Sequence, residues 1–394
     1  MLYTYSTEKM LELKDATVEK VENIGSEKHI YIHMKKRLHL CPCCKTPTSK
    51  VHDYRMQLVR DLPISGLNVV LHLRKRRHVC PNCGKRFYEY IEFLPRYSQF
   101  TNRVFLKVLN DLEDCISIKD VAKRNNMSAP TAAKLLGNVA WRPTKLPEVL
   151  SIDEFRGNSG GEKFQCILTD AKTHKILDVL IDRKLSNIEL YLRSFKNRDD
   201  VKYVIMDMTG NYRHLMRGLF PNATIVVDRY HYLRQLDFAI EKIRKEAQKH
   251  IPDYLRKDIK HSRALLIKNP EKLTISQYHR LQRILDISPQ LRKAYDIKQL
   301  FRSFRKCETR DSAARALGNW IKHAQASEIP ELVTVAQTYA NWSKEILNSV
   351  EIPYTNGYTE GCNNRIKVIK RISFGMPRFE RFRQRILHIM VSEA

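Results

Sequence analysis

The chain has 394 residues, 43% of them hydrophobic, with 70 Lys and Arg against 43 Asp and Glu and a formal net charge of +27. That length exceeds one ordinary core and predicts two to four domains, and that excess of cations points to a polyanionic partner, nucleic acid first. No apolar run is long enough to span a bilayer, and the basic residues are spread along the chain rather than gathered beside an apolar anchor, which excludes a spanning role and disfavours a membrane surface.

The N-terminal residues show no basic region followed by an apolar core, so no signal peptide is expected. Residues 30–34 alternate enough for a strand. Cys41 and Cys44, then Cys80 and Cys83, form two C-x-x-C knuckles, each with Pro after its first Cys. Two such turns aim four thiolates at one point and predict a tetrahedral structural zinc site. Paired thiols of this kind also fit a reducing compartment, so the protein is expected in the cytoplasm. Cys43, His39 and His78 are spare ligands, and a redox dithiol is the weaker alternative because no βαβ pattern surrounds either pair. Segments 57–59 and 69–73 predict a β-hairpin between the knuckles. Arg74, Lys75, Arg76 and Arg77 make a basic strand end, read as a phosphate contact, with a solvated strand end as the alternative. Residues 1–98 are thus expected to be a zinc-ribbon DNA-binding domain.

Residues 99–145 predict three helices. Phe105, Val108, Leu109 and Leu112 stripe the first, and Ile118, Val121 and Ala122 begin a short second. Residues 125–127 are a turn. Ser128 caps a third helix, with Pro130 in its first turn and Leu135, Leu136 and Val139 inward. The spacing has the shape of a helix-turn-helix, which would turn Ser128, Thr131 and Lys134 toward DNA. A plain three-helix unit is the alternative.

The pattern changes near residue 146. Strands are expected at 149–153, 163–169, 176–181, 201–207 and 223–228. A helix opened by a capping box at Ser186 to Glu189 follows the third strand, and one striped by Tyr212, Leu215, Met216 and Leu219 follows the fourth. The order β-β-β-α-β-α-β is that of a ribonuclease-H-like sheet, in which the first and fourth strands are neighbours. Asp153 and Asp207, ending those strands, would then converge. Asp228, ending the fifth strand, is the rival to Asp207. Glu154 is expected on the opposite strand face, and Asp170 and Asp178 in structural roles.

Residues 146–228 form the first part of this core. Residues 229–350 read as an all-helical insertion with helix starts at Thr274, Ser288 and Pro330 and with Trp320 and Trp342 in its interior. Residues 351–394 return to the core. There Glu360, Asn364, Lys367 and Arg371 share one helix face, followed by Lys370, and Cys362, Ile366 and Ile369 face inward. One carboxylate heading a row of amide and cationic groups suits a hard divalent ion beside a phosphodiester. A solvated amphipathic helix is the alternative. Three acids in this arrangement make sense as a two-metal centre for phosphoryl transfer. The fold class expected is multidomain α+β: zinc ribbon, helix-turn-helix, and ribonuclease-H-like α/β core interrupted by a helical insertion.

These residues resemble the DDE transposases of bacterial insertion sequences, of the ISL-three type. The resemblance runs through the paired Cys-Pro-x-Cys knuckles, Ser151 to Phe155, Met206 to Met208, Asp228 to His231, Thr355 to Lys367, and the tail at Gly375, Phe379, Phe382 and Arg385. It implies that Asp153, Asp207 and Glu360 are a catalytic triad holding two Mg²⁺ (or Mn²⁺). It also implies partners in the element's terminal inverted repeats and target DNA, a homodimer on double-stranded DNA, and association with the bacterial nucleoid. Asn364, Lys367, Lys370 and Arg371 would hold the strand being cut. Tyr230 stands where the family often has Phe, and Cys43 is unusual within the knuckle. The competing readings are a zinc-dependent DNA-binding regulator, a decayed transposase without catalysis, and a nuclease that cuts without joining.

Overall fold

The computed structural model describes residues 2–391 apart from 115 and 138–140, and the chain divides into two units. One comprises residues 1–140, 369–376 and 384–393; the other comprises 141–368 and 377–383.

In the first unit a helix, Leu2–Leu11, leads into β1 (Ala16–Ile24) and β2 (Glu27–Met34). β2 alternates regularly, sending Ile30, Ile32 and Met34 inward. The short β3 (His39–Leu40) and β4 (Pro47–Thr48) pair around the first cysteine turn. Then β5 (Val51–Ile64) and β6 (Leu67–Val79) make a long hairpin, and β7 (Arg86–Tyr88) returns along β6. The strand order is β1-β2-β6-β5, with β2 and β6 parallel. The expected hairpin is therefore present and extends well beyond 57–59 and 69–73, with Val59 opposite Leu71. Its turn residues, Ser65 and Gly66, both have positive φ (52° and 78°), the twist that two-residue hairpin turns require. Leu11, Ile30, Ile32, Val59, Leu71 and Leu73 form the core beneath.

Three helices follow, Asn102–Asp111, Ile118–Arg124 and Ala129–Leu136, as the apolar spacing predicts. Ser117 accepts a hydrogen bond from the backbone N–H of Asp120, and Ser128 from that of Thr131. Val108, Leu112, Val121, Leu135 and Leu136 pack together. Val139 lies outside the described residues. Arg385, fully buried on the helix Phe379–Val391, donates to the carbonyls of Leu112, Asp114 and Ile116. One guanidinium thus ties down the connection between the helices Asn102–Asp111 and Ile118–Arg124 through its carbonyls.

The second unit holds β8 (Val149–Phe155), β9 (Gln165–Asp170), β10 (Lys175–Leu180), β11 (Tyr203–Met206) and β12 (Thr224–Val227). Their order is β10-β9-β8-β11-β12; the pairs among β8 to β10 are antiparallel, and β8/β11 and β11/β12 are parallel. The first and fourth strands of this sheet are therefore neighbours. Two expectations need correcting. β8 continues two residues past Asp153, which sits inside the strand opposite Ile167 rather than at its end. The helix after β10, Leu185–Arg193, starts ahead of Ser186, so the capping box does not form. Buried Asp182 supplies the acceptors instead, taking hydrogen bonds from Lys184 N and from Asn187 Nδ2.

Alternation along β8 separates two faces. Leu150 and Ile152 enter the large core with Ile188, Leu192, Met216 and Leu219. Ser151 and Asp153 face the helix Gly357–Ile372: Ser151 Oγ bonds Asn356 and lies 2.9 Å from Thr359 Oγ1, which is 2.8 Å from Thr169 Oγ1. This buried polar seam fixes the height of that helix on the sheet. Asp178 is held by Arg383 through two bonds of 2.6 and 2.8 Å and by Tyr191, the structural role expected of it.

Residues 229–351 are helical throughout, eight α-helices among the described residues, starting with Arg229–Lys249. Thr274 forms a capping box with Gln277, Ser288 caps a helix with Pro289 at its start, and Pro330 opens another. Trp320 and Trp342 are buried. Trp320 donates to Ile297 O and packs on Phe301 and Tyr339, an aromatic centre that ties three of the helices together. No helix among the described residues is long and apolar enough to cross a membrane.

Candidate functional site

The cysteine turns are built alike. Cys41 O accepts from Lys45 N and Cys80 O from Gly84 N, and Lys45 and Gly84 both have left-handed φ, 60° and 68°. Each turn places its two sulfurs on one side. Cys41, Cys44, Cys80 and Cys83 come together, with Sγ–Sγ distances of 3.6 Å (Cys41 to Cys83) and 3.4 Å (Cys44 to Cys80 and to Cys83). Ligands about 2.3 Å from one tetrahedral ion stand roughly 3.8 Å apart, so the four sulfurs fit zinc with a slight expansion. Thr46 beside Cys44, first through its hydroxyl and then its backbone, draws that thiol down to about 5, toward the thiolate a metal takes. Cys43 is exposed and outside the group. His39 and His78, the other spare ligands, pack as tilted rings with centroids 4.6 Å apart beside Glu89, whose carboxylate is already engaged by Arg76.

The basic run on β6 is not uniformly available. Along β6 the buried face changes over within this run, from that of Leu71 and Leu73 to that of Arg76 and His78. Arg74 is exposed, with its guanidinium over Tyr54. Lys75 and Arg77 are half-buried beside Tyr88, and Arg77 pairs with Asp53. Arg76 is the correction: it is buried, paired with Glu89 at 3.1 Å and donating to Met34 O, which makes it a strut of the sheet rather than a phosphate contact. Ser128 and Lys134 are exposed and Thr131 is half-buried, with the Ser128 hydroxyl engaged as a helix cap.

The second unit gathers the acids. A cleft of about 530 Å³ is lined by Asp153 from β8, Asp207 just past β11, and Glu360 from the first turn of Gly357–Ile372. Asp153 Oδ2 accepts from Asn363 Nδ2 at 2.7 Å, and its Oδ1 from the backbone of Glu154. Asp207 Oδ1 lies 2.9 Å from His231 Nε2. Asp228, buried at the start of Arg229–Lys249, lies 3.8 Å from that nitrogen, and its Oδ2 has no hydrogen-bond partner among the described residues. Asp207 lines the cleft and Asp228 stands behind it, with ligand atoms of Asp207, Asp228 and His231 all within 4.8 Å of one another. Glu154 points to the other face of β8, as expected, yet its carboxylate reaches the rim and is held by Tyr212 and Arg183. Asn364 and Lys367 are exposed on the rim, their side chains 3.0 Å apart. Lys370 and Arg371 follow on the same helix, in residues that belong to the first unit.

Asn363 and His231 received no role from their sequence positions. Asn363 lies three residues after Glu360, so it shares much of that helix face, and His231 lies three after Asp228 at a helix start. Those spacings were the available signals.

Burial, and next the charge of Asp207, push Asp153 up to about 7. Burial raises Asp228 as well. Burial opposes a charge on His231, but its contact with Asp207 and the charges of Asp207, Asp228 and Asp153 outweigh it and raise its pKa. Asp153, Asp207 and Glu360 crowding one cleft, with buried Asp228 beside Asp207 keeping one oxygen without a hydrogen-bond partner among the described residues, are a donor set that fits hard divalent cations. A raised folded pKa on an acid means that stability present at low pH is lost as pH rises from about 4 through 7. Metal-free protein is therefore expected to melt lower at pH 8 than at pH 5.5, and a divalent cation to recover the loss at pH 8. Asp153→Asn should reduce the difference, raising metal-free stability at pH 8 by roughly 1–3 kcal/mol. Superimposable melting curves for variant and wild type at pH 8 without metal would contradict this.

Residues 150–386 match a family model of the DDE, ISL3 type described as transposase, and residues 37–83 match one described as zinc-finger of transposase IS204/IS1001/IS1096/IS1165. The chain is 27% identical over 368 residues to the transposase for insertion sequence element IS1001 of Bordetella parapertussis, covering 91% of this chain and 90% of that one. It is 32% identical over 117 residues to the transposase for insertion sequence element IS1557 of Mycobacterium tuberculosis, covering 30% and 26%.

Proposed function

The chain belongs to the ISL3-type DDE transposases of insertion sequences, and on that footing we propose that it binds the element's terminal inverted repeats and cuts and joins DNA strands at Asp153, Asp207 and Glu360. One observation carries the reading. Three acids, from the first strand, the end of the fourth and the helix after the insertion, line one cleft with Lys367, Arg183 and Arg234 around it.

The strand order supports a ribonuclease-H-like core over 146–228 and 351–394, interrupted by the insertion at 229–350. The helices Ile118–Arg124 and Ala129–Leu136, joined by a four-residue turn, support a helix-turn-helix within 99–145. Residues 1–98 would be the zinc-ribbon DNA-binding domain, with Arg74 at its surface. Two ends must be held at once, so the active form would be at least a homodimer on double-stranded DNA, at the bacterial nucleoid.

Asp153, Asp207 and Glu360 would hold two Mg²⁺ or Mn²⁺ ions. Bound there, such ions supply Lewis acidity to the attacking and leaving oxygens. The chain's own groups do the rest. Asn363 fixes which oxygen of Asp153 faces the cleft. His231, held between Asp207 and Asp228, orients the Asp207 carboxylate. Lys367 and Asn364 would take the phosphates flanking the scissile bond. Water attacks phosphorus and the 3′ oxygen leaves; that 3′-hydroxyl then attacks a target phosphate, displacing its 3′ oxygen. Both are in-line displacements, so one cluster serves both.

The test is the full chain with a labelled duplex spanning the boundary between its element and flanking DNA, in Mg²⁺ or Mn²⁺, beside Glu360→Gln. Nicked and joined strands are expected from the wild type and a loss of at least about a hundredfold from the variant. Specific binding with no cleavage in either protein would overturn the reading in favour of a regulator.

A further inference from the structure

A second concavity, of about 760 Å³, runs along the helical insertion. It shares Tyr230 and Arg234 with the acid-lined cleft, so the two adjoin at these side chains. Seven Lys or Arg residues line it against one carboxylate, Asp237. Several of these cations have protein partners: Arg302 pairs with Glu271, and Lys298 donates to the carbonyls of Leu266 and Ile267. Arg263, Lys272 and Arg305 are exposed and have no ion-pair partner among the described residues.

Aromatic groups stand among these cations. On the helix Arg229–Lys249, Tyr230, Arg234 and Phe238 fall at i, i+4 and i+8, along one face over about 12 Å. Tyr230 is 53% exposed and Phe238 45% exposed, too much for core residues. The Arg234 guanidinium lies between them, 5.8 Å from the Tyr230 ring and 5.0 Å from the Phe238 ring. A plain phosphate-binding surface needs only cations. Exposed rings alternating with a guanidinium offer faces to bases, and bases can use them only when unpaired, since duplex bases are already stacked on each other.

We propose that this groove holds a single strand of DNA running on from the acid-lined cleft, with bases against Tyr230 and Phe238 and backbone along Arg263, Lys272 and Arg305. The inference rests on the transposase reading for the identity of the strand: it is the segment unpaired from the duplex beside the bond being cut. The groove's preference for an unpaired strand stands on its own residues.

The experiment measures, by fluorescence anisotropy across a salt series, binding of the full chain to an oligo-dT single strand and to the duplex element end. Wild type is compared with Phe238→Ala, Phe238→Trp and the double variant Arg263→Ala/Arg305→Ala, residues that line the groove but not the cleft. Phe238→Ala is expected to weaken single-strand binding about tenfold with an unchanged salt slope, and Phe238→Trp to retain it. The double variant should weaken it at least tenfold and shallow the slope by roughly 1.4, the value for two lost phosphate contacts on a single strand. Duplex-end binding should stay within about twofold for all three. Unchanged oligo-dT binding in Phe238→Ala and the double variant would overturn the proposal and leave the groove to an acidic protein segment. Equal losses on single strand and duplex would also overturn it, making the groove a duplex-binding surface. Wild type that binds oligo-dT through this groove but never cuts the element end would sink the catalytic reading and leave the groove standing.

Discussion

Asp153→Asn is expected to reduce strand cleavage and joining by at least about a thousandfold while leaving binding of the element end within about twofold. The substitution removes one charge and almost no volume. Its amide oxygen still accepts from Asn363, so β8 and the helix Gly357–Ile372 keep their contact. A neutral amide is a poor ligand for a hard cation, so the loss falls on the chemistry rather than the fold. Arg383→Met is the contrasting control. It strips Asp178, almost wholly buried, of its guanidinium partner and leaves an uncompensated charge, which costs about 3–5 kcal/mol. That variant should lose binding and cleavage together through unfolding, detected as a lower melting temperature. Cleavage by Asp153→Asn near the wild-type rate would remove Asp153 from the mechanism, and equal loss of binding would make it a structural acid.

Cys80→Ser should abolish zinc binding, falling from one equivalent per chain to none by metal analysis, and weaken element-end binding by about a hundredfold or more. Cys80 is almost wholly buried, and its sulfur meets Cys44 from the other knuckle. β3 and β4 are only two residues each, so their pairing cannot hold the first turn without the ion. A structural zinc contributes on the order of 10–16 kcal/mol of apparent binding energy at neutral pH, and removing one thiolate forfeits much of it. Cys43→Ser, at an exposed sulfur outside the group, should retain the full equivalent. Unchanged zinc content in Cys80→Ser would refute the four-sulfur assignment.

The contrast between Arg76 and its neighbours shows where local reading fails. Four consecutive cations look alike along the chain, but Arg74 and Arg76, two residues apart and so on one strand face, differ in burial, and Glu89 turns Arg76 into an interior strut. The helix at Leu185 shows the same effect. Ser186 and Glu189 have the capping-box spacing, yet buried Asp182 anchors the preceding turn and the helix starts earlier. At the acids the outcome was mixed. Glu360 and its stripe were legible because helical spacing is local, and Cys362, Ile366 and Ile369 are indeed buried. Asn363, one position off that stripe, was not, because its importance lies in Asp153, 210 residues away.

Features whose cause lies within a few residues stood in the chain itself. The cysteine turns with their left-handed residue just after the second cysteine, the caps at Ser128, Thr274 and Ser288, the alternation of β2 and the stripe headed by Glu360 are all set by short-range sterics and hydrogen bonding. Folding alone decided the rest. The gathering of Asp207 and Asp228 about His231, the burial of Arg76 and the placing of a cationic groove beside the acid-lined cleft each depend on which distant segments pack together. No local pattern encodes such meetings. They follow from the sheet setting β8 beside β11 and from the buried seam that holds the Glu360 helix at its height.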